Sequence, residues 1–159
     1  EKSVIQPEPQ LRDKKSKIRI KDTKDTKDMR DLSFGGRTIL IIDDDIRNVF
    51  ALSSRLEVYD IQVLYADSSL GGIELLKLNP DIDLILMDVM MPGMDGNAAT
   101  REIRTMAQYD QLPIIMVTAN VREADRDISM DAGATDYITK PVEVEQLLTL
   151  LKIWLSRKS

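Results

Sequence analysis

Leu84-Ile85-Leu86-Met87-Asp88-Val89-Met90-Met91-Pro92-Gly93 is the stretch on which the fold turns. Four large apolar residues in succession read as a strand buried on both faces, and the run stops at a carboxylate followed by a Pro-Gly turn. Asp88 therefore stands at the C-terminal end of a strand. In an open parallel α/β sheet the loops diverge at that edge, and ligands bind in the crevice between them. The same grammar recurs at Ile39-Leu40-Ile41-Ile42-Asp43-Asp44-Asp45, at Ile114-Ile115-Met116-Val117-Thr118-Ala119 and, more weakly, at Asp136-Tyr137-Ile138-Thr139-Lys140-Pro141. Four strand ends thus offer acids, an acid, a hydroxyl and an amine to one site.

Helical patterns fill the intervals. Val49, Leu52 and Leu56 share a helical face, after which Ile61-Gln62-Val63-Leu64-Tyr65 returns as a strand. Ile73 and Leu76 mark a second helix ending near Asn79-Pro80; Ala99, Ile103 and Met106 mark a third. Ala124, Ile128 and Ala132 make a thin stripe on a short fourth helix closed by Gly133. The fifth is the clearest, with Val144, Leu147, Leu148, Leu151, Trp154 and Leu155 following the 3.6 period. Five strand-helix units in alternation predict an α/β fold, a doubly wound five-stranded parallel sheet covered on both faces. Order 2-1-3-4-5 is expected, since it sets the first and third strands side by side at a switch point.

With 159 residues and 43% hydrophobic content, the chain has one good core and little room for a second. No apolar run approaches the ~20 residues that cross a bilayer, and no secretory signal is visible. A soluble protein is expected. Cysteine and histidine are both absent. Disulfides and thiolate metal sites are excluded, and chemistry must use carboxylates, hydroxyls and lysine. Residues 1–36 carry 10 Lys/Arg against 7 Asp/Glu, whereas 37–159 carry 12 against 20. The acidic globular part disfavours direct nucleic-acid binding. Residues 1–36, with the near-repeat Lys21-Asp22-Thr23, Lys24-Asp25-Thr26, Lys27-Asp28-Met29, match neither helix nor strand period and read as a charged, solvated linker or tail. A first residue of Glu1 suggests an excised or processed piece.

Asp43-Asp44, then Asp88-Val89-Met90-Met91-Pro92-Gly93-Met94-Asp95-Gly96, Thr118-Ala119 and Lys140-Pro141 together resemble the receiver domain of two-component response regulators, across about residues 37–157. The resemblance implies a flavodoxin-like fold. It implies that Asp88 is a phosphoacceptor and a metal ligand, with Asp43, Asp44 and the Met90 backbone carbonyl completing a site for Mg²⁺, or Mn²⁺. Lys140 would pair with one phosphoryl oxygen and the Thr118 hydroxyl would bond another. The physical chemistry agrees: a carboxylate attacking phosphorus needs charge repulsion cancelled, and a hard cation held by acids does that. Tyr137 matches an aromatic switch position that turns inward as Thr118 moves. Val142 departs from the aromatic that many receivers carry there. Met90 and Asn120 occupy the places that tune the lifetime of the phosphoryl group, and neither offers a base.

Each residue also has a plainer reading. Asp45 and Asp95 read as helix caps, and Met87 as core. Thr118 alone would be a strand residue, Lys140 a loop lysine, and Tyr137 a half-buried strand tyrosine; only convergence on one sheet edge reverses this. A dehalogenase-type phosphatase would need an acid where Met90 stands. A phosphorylation-independent binding module would have lost acids or Lys140, and a nucleotide site would place glycines after the first strand, not at Gly35-Gly36.

The expected function is therefore to take a phosphoryl group from a partner histidine, on a histidine kinase or phosphotransfer domain, with at most slow self-dephosphorylation. A cytoplasmic location follows from the resemblance. Phe34-Gly35-Gly36-Arg37-Thr38-Ile39-Leu40, Ile46-Arg47-Asn48-Val49-Phe50-Ala51-Leu52 and the end of the chain after the fifth helix resemble a receiver fused to the C-terminal side of a hybrid histidine kinase, whose parent chain could be membrane-bound. The thin stripe of the fourth helix makes the region after Thr118 the expected moving part.

Overall fold

The structure is a computed structural model describing residues 32–120 and 122–156. Most of the segment read as a charged linker lies outside the described residues. Within the folded unit, Phe34–Ser159, strands and helices alternate. They are β1 (Arg37–Ile42), α1 (Ile46–Glu57), β2 (Ile61–Ala66), α2 (Ser69–Leu78), β3 (Ile82–Asp88), α3 (Gly96–Arg104), a 3-10 turn (Ala107–Tyr109), β4 (Ile114–Thr118), α4 (Glu123–Ala132), β5 (Asp136–Thr139) and α5 (Val144–Ser156). All strand pairs are parallel, and the order is β2-β1-β3-β4-β5, as expected. Phe34 and Gly36 donate backbone N–H groups to the carbonyls of Tyr59 and Asp60, tying the approach to β1 to the turn before β2.

The apolar runs have the burial of a doubly covered sheet. Leu40, Ile42, Ile85, Met87, Ile114 and Met116 pack on one face with Ile73 and Leu76 of α2 and Ala99 and Ile103 of α3. Alternate residues Ile39, Ile41, Leu84, Leu86, Ile115 and Val117 are buried too, and Ile41, Leu86 and Val117 meet a cavity also lined by α1 and Val144 of α5. At about 25 cal/mol per Å² of apolar area removed from water, burial of these strands on both faces contributes strongly to the hydrophobic stabilisation.

Two details depart from the sequence pattern. α3 stops at Arg104, so Met106 lies beyond the helix while still packing against the core. α4 buries Ser129 and Ala132, and of the expected stripe Ala124 is exposed and Ile128 is 50% exposed. The Ser129 hydroxyl donates to Asn97 Oδ1 of α3 at 2.8 Å. A serine-alanine face allows that close approach; an isoleucine at the same contact would hold the helices apart and take the donor away from Asn97 Oδ1.

Candidate functional site

Register brings the chemistry to one edge. Ile42 pairs with Met87, Asp88 with Val117 and Thr118 with Thr139, so the residues after β1, β3, β4 and β5 emerge side by side. The ladder continues past the strand ends through Asp43 N–H to Ala66 O, Val89 N–H to Val117 O and Lys140 N–H to Thr118 O. Asp43, Asp44, Asp88 and Lys140 thereby meet near the switch point between β1 and β3 that the order creates, while Thr118 stands at the end of β4 on the same sheet edge.

Asp43 and Asp88 are buried and Asp44 is exposed; each offers a carboxylate oxygen within 4.8 Å of the others. Asp43 Oδ1 accepts the Asp45 N–H at 2.8 Å, which fixes its direction. Lys140 Nζ lies 3.2 Å from Asp88 Oδ1. Burial first, then the Asp43 charge, pushes the Asp88 carboxyl above its ordinary value, against the pull of Lys140 and the Met90 backbone N–H. Three acids against one ammonium leave an uncompensated negative centre. Carboxylate oxygens within 4.8 Å of one another are close enough to be drawn onto one hard divalent cation, which takes carboxylate, carbonyl and water ligands. The thioethers do not compete: Met87 is fully buried in the core and the Met90 side chain is largely exposed.

Asp45 and Asp95 cap α1 and α3, accepting the Arg47 and Ala98 N–H groups at 3.0 and 2.8 Å, so both fill the plainer role. Gly96 is needed for a reason the motif alone does not reveal. A Cβ there would lie 2.2 Å from the Asp88 carbonyl oxygen, so only glycine lets α3 start against the backbone of Asp88. Thr118 is partly exposed, and its hydroxyl accepts the Asn120 N–H at 3.0 Å. Tyr137 is half-buried on β5, with its hydroxyl accepting from Arg126 at 3.0 Å. Asp43, Asp88 and Lys140 also line a cavity of about 490 Å³ shared with Ala51, Leu52 and Val142, so the departure at Val142 lies in its wall.

Sequence reasoning missed Arg126, Asn97, Ser129 and Arg104. The last donates to Gly133 O, Tyr109 O and Thr135 Oγ1. None belongs to a motif; charge at Arg104 in the last turn of α3, next to a turn, is the one visible hint.

A doubly wound sheet carrying an acid cluster and a lysine at its switch point defines an α/β domain of the flavodoxin-like class. Residues 39–152 match the response regulator receiver domain, and the chain belongs to that family of two-component signalling domains. It is 39% identical over 110 residues to protein PilH of Pseudomonas aeruginosa, covering 69% of this chain and 90% of that protein. Over 114 residues it is 37% identical to the signal transduction histidine-protein kinase BarA of Escherichia coli, covering 72% of this chain but 12% of the kinase. Its fold is similar to that of the signal receiver domain of a histidine kinase from Syntrophus aciditrophicus, at TM-score 0.70 and 32% identity, over 76% of this chain and 90% of that one. Among the described residues no helix is long and apolar enough to cross a membrane.

Proposed function

We propose that the domain accepts a phosphoryl group on Asp88 from a partner phosphohistidine, on a histidine kinase or phosphotransfer domain. The observation that carries this reading is the joint placement of three carboxylate oxygens within 4.8 Å and of Lys140 Nζ at 3.2 Å from Asp88. Asp43, Asp44 and Asp88, with the Met90 carbonyl, would hold Mg²⁺. When bound, the cation offsets the charge of the phosphoryl oxygens and the acids.

The chain's own groups do the rest. An Asp88 carboxylate oxygen forms the new O–P bond while the P–N bond to the partner imidazole breaks, its electron pair returning to nitrogen. Lys140 shifts from pairing with Asp88 to pairing with a phosphoryl oxygen, and the Thr118 hydroxyl leaves Asn120 to donate to another. Similarity to a histidine kinase supports a hybrid kinase as the parent, with residues 1–36 a charged linker before the receiver at 37–159. Having no histidine, this chain does not itself carry the phosphohistidine that donates to Asp88.

Mass spectrometry after incubation with a small acyl phosphate and Mg²⁺ tests the assignment. Wild type should gain one phosphoryl mass that hydroxylamine removes and a chelator prevents, and Asp88→Asn should gain none. An adduct of equal yield in the mutant, or one stable to hydroxylamine, would sink it.

A further inference from the structure

One guanidinium makes two contacts with Tyr137. Arg126 of α4 donates to the hydroxyl at 3.0 Å and lies 5.4 Å from the ring centroid. Hydroxyl and ring are thereby held by a single planar cation. The preceding residue extends the connection. Asp136 Oδ1 accepts the Tyr137 N–H at 2.8 Å, and Oδ2 accepts the Trp154 indole N–H at 3.0 Å. Contacts at the two ends of Tyr137, its hydroxyl and its backbone N–H, therefore connect α4 and α5 to β5.

The two ends of α4 are held differently. Its C-terminal end is pinned by the Ser129–Asn97 bond, by buried Ala132 and by Arg104 donating to Gly133 O. Its N-terminal end has no side-chain cap, and Glu123, Ala124 and Asp127 are exposed. The Arg122–Asp125 ion pair joins only neighbours in the same turn. Arg126 ties this loosely held end to the sheet. In the same structure the Thr118 hydroxyl is engaged with the Asn120 backbone instead of the acid site.

We propose that Arg126 is a positioning residue acting through Tyr137. Its two contacts hold Tyr137 and the first half of α4 in the arrangement that keeps Thr118 with Asn120, and so oppose the arrangement that serves a phosphoryl group. This rests on Asp88 being the phosphoacceptor. A ligand that favours the second arrangement binds more tightly once the first is weakened, because its apparent affinity scales with the population of the competent state.

The test uses the full chain with Mg²⁺ and fluoroberyllate, titrated by calorimetry. Arg126→Ala should bind the mimic about fivefold more tightly, the lower end of what an exposed hydrogen bond plus a cation–π contact supplies. Arg126→Lys, which keeps charge but not the planar fork, should fall between. In a Tyr137→Phe background the effect of Arg126→Ala should shrink to what the ring contact alone supplies, since the hydroxyl acceptor is then gone. Independently of any mimic, hydrogen exchange in Arg126→Ala should quicken at amides 123–128 and stay unchanged at 129–133. Unaltered or weaker affinity overturns the proposal, as does uniformly faster exchange along α4, the mark of a merely structural role. If wild type fails to bind fluoroberyllate, the phosphoacceptor reading is what fails, and the exchange pattern still decides whether Arg126 is the tie.

Discussion

Helices α4 and α5 flank the same short strand, β5, and bury themselves in opposite ways. α5 sinks Leu147, Leu148, Leu151 and Leu155 into the core, each at most 1% exposed. α4 sinks a serine and an alanine and leaves Ile128 and Met130 in solvent. Apolar burial raises the free energy of local opening, so α5 is expected to open with the domain and α4 more readily by itself. The loosely packed helix follows Thr118 and precedes Lys140, the residues proposed to meet the phosphoryl group. A change at the site can move only what is weakly held.

The largest effect that sharpens this contrast is on stability. Leu151→Ala should cost about 3 kcal/mol, since the side chain is fully buried, whereas Ile128→Ala should stay within about 0.5 kcal/mol. Urea unfolding of the two variants checks it. Equal losses would show that α4 is packed as firmly as α5.

The next effect contrasts the buried acids with the exposed helix. The raised Asp88 value means that the folded state binds more protons than the unfolded one between the ordinary carboxylate range and the higher folded value. Stability from this group therefore falls as pH rises through that window. In chelator, Asp88→Asn should melt higher than wild type at neutral pH and lose that slope. Millimolar Mg²⁺ should raise the wild-type melting temperature, and less so in Asp44→Ala. Melting indifferent to Mg²⁺ at moderate salt would mean that the acids do not hold the cation.

The smallest effect is the switch itself. With fluoroberyllate bound, amides 119–137 should change exchange most, by factors, while those of α5 stay protected. Changes confined to α1 and α2 would break the comparison, because the moving part would then be a region with firmer anchors.

Much of this was legible in the residues. Runs such as Ile39–Ile42 and Leu84–Met87 are too apolar for any one-faced strand, and both prove buried on both faces. Asp45 and Asp95 read as caps and are caps. The α4 face was not legible, since a stripe of two alanines and one isoleucine barely distinguishes one rotation of a short helix from another. There the Ser129–Asn97 bond decided. Arg126, one more charge on a polar helix, carried no signal at all.

The sequence by itself determined the alternation of strands and helices and the list of acids, hydroxyl and amine at the strand ends. Those depend on local periodicity and on where each apolar run stops. Only the tertiary structure decided which oxygens approach within 4.8 Å, why Gly96 must lack a side chain beside the Asp88 carbonyl, and which cation rests on Tyr137. These are distances between segments far apart in the chain, set by strand order, register and helix rotation, and no local pattern encodes them.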